Sequence, residues 1–382
     1  MRKVRLGDLG QIITGNTPSK NHLEFYESSD IPFIKPDDFE SLNSISTSLN
    51  HKSYISEKAR SKARIIPKQS VLVTCIGIIG KVMISETEVS FNQQINAIIP
   101  NNLILAKYFA YQLIFNQNKL NFIANAPVVP IVNKTQFSDF EIQIHDDIKQ
   151  QKVIVTILEN IDSQIIQRRQ QLTQFNNLVK SRFYEQFGDL STNPYGFPIV
   201  YLSEIAEYYN GLTYKPEMVV EDGSGTIVLR SSNIQDSKLD FNDIVRVNIQ
   251  AKEKNIVRKN DILMCSRNGS ERLVGKTAII NTTEKMYFGA FMMLIRSKYF
   301  EFLQQYFQTE HFRSTVRQGA TTTINQITVK MMDKVKIPLP PLALQNQFAD
   351  FVAEVDKSQL ACQKSLDELE TLKKSLMQAY FG

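Results

Sequence analysis

The stretch Lys180-Ser-Arg-Phe-Tyr-Glu-Gln-Phe-Gly188 returns, with changes, as Lys374-Ser-Leu-Met-Gln-Ala-Tyr-Phe-Gly382, 194 residues further along the chain. Each stretch closes a long segment without Gly or Pro in which apolar residues recur at alternating intervals of four and three. Residues at this spacing lie along one face of an α-helix, and a stripe held over so many turns is typical of a coiled coil. Each segment is therefore predicted to form one long helix.

The apolar stripe of each helix is predicted to pack against the other helix. Its members are Ile154, Leu158, Ile161, Ile165, Leu172, Phe175 and Val179 in the first copy and Phe348, Val352, Val355, Leu366, Leu369 and Leu376 in the second. At 1.5 Å per residue, a helix over 147–187 extends on the order of 60 Å. A globule of about 140 residues has a radius of gyration of about 14 Å, so most of the helix needs another partner. We expect the two helices to form an antiparallel coiled coil with one globular domain at each end; the alternative is that each helix packs only on its own domain.

The repeat extends into the segments that precede the helices. Val4–Gly15 matches Val200–Gly211, and Val71–Cys75 matches Asp261–Cys265. Short β-branched runs alternate with shorter helical stretches in both copies, which indicates an α/β or α+β fold with an internal pseudo-two-fold repeat. The predicted order is a globular domain at 1–145, a long helix at 146–188, a linker at 189–198, a second globular domain at 199–337 and a second long helix at 338–382.

The segment 268–278 contains Gly275-Lys-Thr277, the residues that close a nucleotide-binding P-loop. A P-loop requires a glycine five residues before Gly275, but Gly269 lies one residue too early. The residues that follow are typical of a strand rather than of the required helix. The first copy has Gly80-Lys-Val82 after a shorter loop. Gly-Lys is therefore predicted to mark a turn between two strands.

Composition limits the possible classes of protein. The chain has 382 residues, a formal net charge of +5 and a pI of about 8.8, which permits a polyanionic partner. Three dispersed cysteines, Cys75, Cys265 and Cys362, and four dispersed histidines show no metal-ligand spacing, so no metal is expected. No apolar run resembles a signal peptide or is long enough to span a bilayer, so a cytoplasmic location is expected.

Four segments carry a resemblance to a known family. Thr14–Lys20 and Asp30–Asp38 in the first copy, and Gly319–Gln326 and Lys336–Gln345 in the second, resemble motifs of the DNA-specificity subunit of type I restriction-modification systems. The resemblance covers essentially the whole chain, including the order of two target recognition domains and two long helices. The first copy departs from it, because Glu141–Asp147 replaces the proline-rich exit from the domain.

This resemblance implies a function and a set of partners. The family's specificity subunit is not an enzyme: it binds a bipartite sequence in double-stranded DNA and holds two adenine methyltransferase subunits, plus restriction/translocase subunits in the complete assembly. No cofactor is expected in this chain, since S-adenosylmethionine, ATP and magnesium would belong to the partners. The polar segments 164–171 and 367–370 are expected to lie against partner subunits, or to be ordinary solvated faces.

Two alternative functions come from other classes. Asn193-Pro-Tyr-Gly196 resembles a fragment of a methyltransferase motif, but it lacks the second proline and is more typical of a turn. A nuclease centre is not favoured either, because Pro36-Asp37 is followed by Glu57-Lys58 without the intervening residue. A catalytic methyltransferase or nuclease, and a structural spacer that binds only proteins, remain as alternatives.

We expect DNA to be contacted by basic, hydroxyl and amide side chains in the loops that flank the shared strands. The candidates are Thr17, Ser19, Lys20, Lys35 and Lys81 in the first domain and Arg230, Ser232, Asn233, Arg267, Asn268, Arg272, Lys276, Arg317, Thr321 and Thr322 in the second. Arg267, Arg272 and Arg317 are the preferred base readers, because arginine can bind guanine through two hydrogen bonds. For any one of them the alternative is a solvated surface charge.

Overall fold

A computed structural model describes the chain at residues 1–124, 129–318 and 325–382. The chain divides into two compact units: unit 1 comprises 1–170 together with 363–382, and unit 2 comprises 171–362. The division falls inside both long helices. Each unit therefore contains one globular domain and a part of each helix, and unit 1 is built from two separated stretches of sequence.

Unit 1 combines short strands and short helices with a part of each of the two long helices. Its strands are β1 (Arg2–Arg5), β2 (Gly10–Thr14), β3 (Ile31–Ile34), β4 (Ile45–Thr47), β5 (Tyr54–Ile55), β6 (Ile65–Ile66), β7 (Val71–Thr74), β8 (Val82–Ile84), β9 (Val89–Phe91), β10 (Ile95–Pro100) and β11 (Glu141–Ile144). Its helices are α1 (Ala106–Phe115), α2 (Gln117–Phe122), α3 (Lys134–Asp139) and the first part of α4 (Ile148–Phe187). The predicted mixture of strands and helices is confirmed.

The strands of unit 1 form three sheets, in the orders β2-β10-β7-β8-β4, β5-β3-β9-β6 and β1-β11. Most neighbouring strands are antiparallel, while β3 with β9 and β4 with β8 are parallel. Strand β7 is buried along its whole length, as its unbroken apolar run Val-Leu-Val requires of a strand covered on both faces. Helix α1 packs its aromatic residues into the same core.

Unit 2 repeats this plan with changes. Its strands are β12 (Ile199–Tyr201), β13 (Glu207–Asn210), β14 (Val219–Val220), β15 (Thr226–Leu229), β16 (Ile234–Gln235), β17 (Lys238–Leu239), β18 (Arg246–Val247), β19 (Ile262–Cys265), β20 (Thr277–Ile279), β21 (Tyr287–Phe288), β22 (Met292–Arg296) and β23 (Lys336–Pro338). Its helices are α5 (Leu202–Ile205), α6 (Phe300–Tyr306), α7 (Glu310–Gln318), α8 (Val329–Met332) and the first part of α9 (Leu342–Phe381). The main sheets run β13-β22-β19-β20 and β14-β18-β15-β21.

The exits from the two globular domains are structurally equivalent although their sequences differ. In unit 1, β11 pairs with the first strand, β1, and in unit 2, β23 pairs with the first strand, β12, both in antiparallel orientation. The departure of Glu141–Asp147 from the proline-rich pattern therefore leaves the strand in place. Backbone hydrogen bonds define this element, and many side chains satisfy them.

Steric crowding explains why glycine ends the first matched segment in both copies. A Cβ atom at Gly15 would lie 2.2 Å from the carbonyl oxygen of Asn92, and one at Gly211 would lie 1.9 Å from that of Gly289. Both distances are far below a van der Waals contact. Only glycine allows these chain segments to cross so closely, and for this reason it recurs in both copies.

The predicted turn at Gly-Lys is confirmed in both units. Strand β7 pairs antiparallel with β8, and β19 pairs antiparallel with β20. The glycine before each lysine has a positive φ, +90° at Gly80 and +84° at Gly275, which favours glycine. Because a strand follows the lysine and not a helix, this segment is not a P-loop.

The predicted alignment of the two cysteines is wrong by one residue. The amide of Gly80 donates to the carbonyl of Thr74, and the amide of Gly275 donates to that of Cys265, both at 2.9 Å. Thr74 therefore corresponds to Cys265, and Cys75 is the first residue of the loop. The loop has five residues in unit 1 and nine in unit 2. Sequence comparison had matched two identical side chains, whereas the backbone bonds determine the register.

The long helices pair antiparallel within each unit. In unit 1, Asp162 of α4 binds Lys373 of α9 at 2.6 Å, and Arg169 binds Glu370 at 2.7 Å. In unit 2, the amide of Gln359 donates to the side chain of Asn176 at 2.8 Å, and the Gln186 amide donates to the carbonyl of Leu344 at 2.7 Å. In both units the partner residue number falls as the α4 residue number rises, as an antiparallel pair requires.

Every residue of the predicted apolar stripe is buried or half-buried. Helix α9 begins at Leu342, four residues later than predicted, because strand β23 and then Pro340 and Pro341 occupy the intervening positions. Proline is tolerated before a helix but not inside it. None of the helices that the structure describes is long and apolar enough to cross a membrane.

Candidate nucleic-acid interface

In unit 1, three backbone segments meet where β7 ends. The amide of Cys75 donates to the carbonyl of Gln94 at 2.8 Å, and the amide of Val132 donates to the carbonyl of Cys75 at 2.9 Å. Beside these bonds Ile76 and Ile131 form an antiparallel bridge. The end of β7, the turn between β9 and β10 and the segment around Ile131 therefore form one surface.

Unit 2 contains the same crossing of segments. The amide of Ser266 donates to the carbonyl of Phe291 at 2.9 Å, and the amide of Ile327 donates to the carbonyl of Ser266 at 2.7 Å. Arg267 and Gln326 form the corresponding antiparallel bridge. This surface lies at the end of β19 and at the turn between β21 and β22.

Because the same hydrogen bonds recur, the residues of the two surfaces correspond one to one. The pairs, with the unit 1 residue first, are Cys75 and Ser266, Ile76 and Arg267, Gln94 and Phe291, Ile131 and Gln326, and Val132 and Ile327. Val132 and Ile327 are both buried and apolar. The other pairs differ in chemistry between the two units, as in Ile76 against Arg267 and Gln94 against Phe291. The scaffold is shared and the exposed side chains are not.

In unit 2 the surface is cationic and aromatic. Arg267 is exposed, and its guanidinium lies 5.4 Å from the centre of the Phe291 ring. Phe291 itself is 59% exposed. Beside them the Asn268 amide donates to the hydroxyl of Ser231 at 3.3 Å. Of the predicted candidates, the structure thus brings Arg267 and Asn268 together.

In unit 1 the corresponding surface is rich in amides and hydroxyls. The hydroxyl of Thr17 donates to the side-chain oxygen of Gln93 at 2.7 Å. The Asn16 side chain donates to the carbonyl of Lys62 and accepts from the amide of Arg64, both at 2.7 Å. The side chains of Lys62 and Arg64 are exposed and form no ion pair with any described residue. The backbone of Lys62 and Arg64 is therefore held to Asn16, the residue before Thr17.

Two predicted lysines have internal partners. The ammonium of Lys81 donates to the carbonyl of Phe39 at 3.2 Å, and that of Lys276 donates to the carbonyl of Ile234 at 2.8 Å. Both are half-buried and occupy equivalent positions in the repeat. Each lysine fastens the loop after a central strand, so the structural role accounts for its recurrence in both copies.

Asn233 is the clearest correction among the predicted DNA contacts. Its side chain is fully buried, donates to the carbonyls of Asp240 and Asp243 at 2.9 Å each, and accepts from the amide of Arg230 at 2.8 Å. The Arg230 guanidinium binds the Asp243 carboxylate at 2.8 Å. The Ser232 hydroxyl is buried too. Asn233 thus supports its loop and presents no polar atom to a ligand.

The two other arginines of unit 2 that were predicted to read bases, Arg317 and Arg272, differ in their surroundings. Arg317 is exposed and pairs with Glu271 at 3.2 Å and with Glu310 at 3.4 Å. Arg272 is exposed and forms no ion pair with the residues that the structure describes. An arginine that is already paired has less positive charge to offer a phosphate or base, so Arg272 is the better placed of the two.

In unit 1, Ser19 and Lys20 lie on an exposed segment, and the ammonium of Lys35 donates to the Ser53 hydroxyl at 2.8 Å. Thr321 and Thr322 lie outside the described residues. Five residues of these two surfaces were not predicted from the sequence: Asn16, Gln93, Lys62, Arg64 and Phe291. Asn16 could have been found because it lies beside Thr17, whereas long-range pairing brings the other four to the surfaces.

The cysteines are buried, and the Asn193 segment that resembled a methyltransferase motif forms a turn. Burial raises the pKa of the Cys75 thiol to about 12 and also raises that of Cys265, so both thiols stay protonated and are weak nucleophiles. Asn193 has a positive φ and exchanges two hydrogen bonds of 2.8 Å with the backbone of Phe197. This confirms the predicted turn. Among the described residues no group of three His, Cys, Asp or Glu side chains could hold a metal.

The chain is similar in sequence to specificity subunits of type I restriction enzymes. The chain is 42% identical over 97 residues to the type I restriction enzyme HindI specificity subunit of Haemophilus influenzae, which is 25% of this chain and 21% of that relative. It is 28% identical over 201 residues to the type I restriction enzyme EcoKI specificity subunit of Escherichia coli, which is 50% of this chain and 42% of that relative. The chain thus matches less than half the length of each of these relatives.

Two solved structures share the fold. The type I restriction-modification system S subunit from M. genitalium aligns over 100% of this chain and 96% of its own, with a TM-score of 0.58 at 13% identity. A chain from the structural study of complex assembly and conformational transition of the type I R-M system aligns over 99% and 97%, with a TM-score of 0.62 at 16% identity. The family model described as type I restriction modification DNA specificity domain matches residues 1–174 and 194–371. The chain therefore belongs to the family of type I restriction modification DNA specificity domains.

Proposed function

We propose that the chain is the DNA-binding subunit of a type I restriction-modification complex and that each unit recognises one half of a bipartite target. The observation that carries this proposal is the repeated crossing of segments with different exposed side chains, Arg267 and Phe291 in unit 2 against Ile76 and Gln94 in unit 1. A scaffold used twice with two surface chemistries suits two different half-sites. A protein-only spacer has no need of this difference.

The charge distribution supports a DNA partner. The net charge is +5, and Lys62, Arg64 and Arg272 are exposed without an ion pair among the described residues. Cations on such surfaces bind phosphates and release counterions, which supplies most of the affinity for DNA. Base contacts then determine the sequence.

The chain is proposed to be non-catalytic and cytoplasmic, with catalysis on its partners. Two adenine methyltransferase subunits, with S-adenosylmethionine, would modify the target, and restriction/translocase subunits would use ATP and magnesium. The paired helices would set the spacing between half-sites and dock the methyltransferases. Within the predicted docking segments, Arg169 binds Glu370 and the Arg168 guanidinium donates to the Ser365 hydroxyl in unit 1, so part of each polar face joins the two helices.

The proposal is tested by sequencing the methylome of cells that express this chain with its methyltransferase subunit. We expect methylated adenines in one split, asymmetric motif with an unread gap. Replacing residues 1–145 by those of a relative should change only one half of that motif. A single continuous motif, or no methylation despite a stable complex, would contradict recognition by two units. Methyl transfer by the isolated chain would instead support a catalytic function.

Removing the charges of Lys62 and Arg64 is expected to weaken DNA binding almost equally for all sequences. With both changed to alanine, the slope of log K against log salt should become shallower by about 2, because about one counterion is released per phosphate contact. The measurement is a salt titration of DNA binding by the chain assembled with its methyltransferase subunits. Lys58→Ala is the matched control, since Lys58 already pairs with Glu27. Equal slopes for the control and the double variant would contradict the prediction.

A further inference from the structure

We propose that Arg267 and Phe291 form a base-reading pair that determines the sequence preference of unit 2. This inference rests on the proposed function and assigns the specificity of one half-site to two side chains. Phe291 stands where unit 1 has Gln94, and Arg267 stands where unit 1 has Ile76. At these equivalent positions the two units offer different chemistry to a base.

The backbone holds Phe291 firmly although its ring is exposed. Its carbonyl oxygen accepts from the amide of Ser266 at 2.9 Å, from the amide of Arg267 at 3.1 Å and from the hydroxyl of Ser266 at 3.0 Å. Three donors on one carbonyl fix the turn between β21 and β22 to the end of β19. A phenyl ring 59% exposed on such a rigid turn is already oriented for binding, and this lowers the entropy lost when a ligand arrives.

The Phe291 ring orients the Arg267 side chain in turn. The guanidinium lies 5.4 Å from the ring centre, within the range of a cation–π contact. A guanidinium that stacks through its face keeps its N–H groups, which lie in its plane, available for acceptors. Two of them can bind O6 and N7 of a guanine in the major groove, while the edge of a phenyl ring can contact a thymine methyl group.

Unit 1 offers different chemistry at the same place. The Ile76 side chain has no hydrogen-bond donor. The side-chain oxygen of Gln94 accepts from the side-chain amide of Asn92 at 3.0 Å, and the neighbouring Gln93 side chain is exposed. Side-chain amides pair with adenine rather than with guanine. A change at Arg267 or Phe291 should therefore alter one half-site and leave the half-site read by unit 1 as it is.

The experiment compares methylomes of cells that express the full chain with its methyltransferase subunit, in wild-type form and as Arg267→Lys, Phe291→Ala and Gln94→Ala. Lysine keeps the charge but loses both the second hydrogen bond and the planar stack. We expect Arg267→Lys and Phe291→Ala to relax the same half-site, with about 5- to 150-fold less discrimination at the affected position. Gln94→Ala should relax the other half-site. Lys298→Ala, which removes another exposed cation–π pair of unit 2, is the matched control and should leave both halves unchanged.

The outcomes separate the inference from the proposed function. A wild-type methylome without a split motif overturns both. A split motif that stays intact in Arg267→Lys and Phe291→Ala overturns only the inference. A further variant, Arg267→Ala, tests whether Arg267 contacts a phosphate instead of a base. The inference is also overturned if Arg267→Lys keeps the sequence preference of unit 2 while Arg267→Ala lowers methylation equally at all sites. Hydrogen exchange of unit 2 in Phe291→Ala should match that of the wild type, which distinguishes a lost base contact from a damaged fold.

Discussion

Replacing Phe187 by alanine is expected to destabilise unit 2 by about 3–5 kcal/mol, the usual loss for a large aromatic residue removed from a core. Phe187 is fully buried near the end of α4. Its ring centre lies 5.0 Å from that of Phe183, 5.1 Å from that of Phe302 and 5.4 Å from that of Phe348. These rings come from α4, α6 and α9, so the cluster joins both long helices to the globular domain. Removing the Phe187 ring leaves a cavity between these three helices.

The measurement for Phe187→Ala is hydrogen exchange of the full chain, followed on peptides of each unit. A chain with two units does not unfold in one step, so a single melting temperature would not locate the loss. Protection should fall across unit 2 and much less in the globular domain of unit 1. Phe122→Ala is the matched control, because Phe122 is 90% exposed in α2 of unit 1 and should change stability by less than about 0.5 kcal/mol. Similar protection in both variants would show that the aromatic cluster contributes little.

Replacing Lys373 by methionine is expected to destabilise unit 1 by about 2–4 kcal/mol, because it leaves a largely buried carboxylate unpaired. The Lys373 ammonium lies 2.6 Å from the Asp162 carboxylate and donates to the carbonyl of Asn43 at 3.0 Å. Lys373 is 11% exposed and Asp162 is 25% exposed. The Tyr111 hydroxyl donates to the same carboxylate at 2.8 Å. Burial and then the charge of Asp162 raise the pKa of Tyr111, which keeps this donor protonated. The network thus fastens both helices to the globular domain.

The control for Lys373→Met is Lys364→Met, which breaks an exposed pair with Glu368 at 3.9 Å on the same helix. Exposed pairs contribute about 0–1 kcal/mol, so this variant should behave like the wild type in hydrogen exchange of unit 1. Adding Asp162→Asn to Lys373→Met should restore part of the loss, since asparagine removes the unpaired charge and can still accept from Tyr111. If the two lysine variants lose equally little protection, the buried pair is not an important contact.

The elements that the sequence predicted well are those that depend on local spacing. The four-three recurrence of residues such as Leu158 and Phe348 predicted both long helices, and the recurrence of Gly-Lys predicted the turns at Gly80 and Gly275. These patterns report on residues a few positions apart, where helix and turn geometry are determined by the chain itself. The predicted starts of both helices were early, by two residues for α4 and by four for α9, where the preceding prolines fit both a strand end and a helix entrance.

The candidate site was less predictable because long-range contacts assemble it. Asn233 was predicted to contact DNA because asparagine often does so, but its side-chain amide forms three hydrogen bonds that hold its own loop. Phe291 was missed because an isolated phenylalanine is far more often part of a core. Its partner Arg267 lies 24 residues earlier in the sequence, and only the pairing of β19 with β22 brings the two together.

The composition of unit 1 from 1–170 and 363–382 has a consequence during translation. The last part of unit 1 emerges from the ribosome after the whole of 171–362, so at 5–20 residues per second it arrives roughly 10–40 s later. During that interval the side chains of Tyr108 and Phe115 lack the contact with Phe381 that they have in the folded chain. The domain that is synthesised first is thus completed only after the second domain has been synthesised.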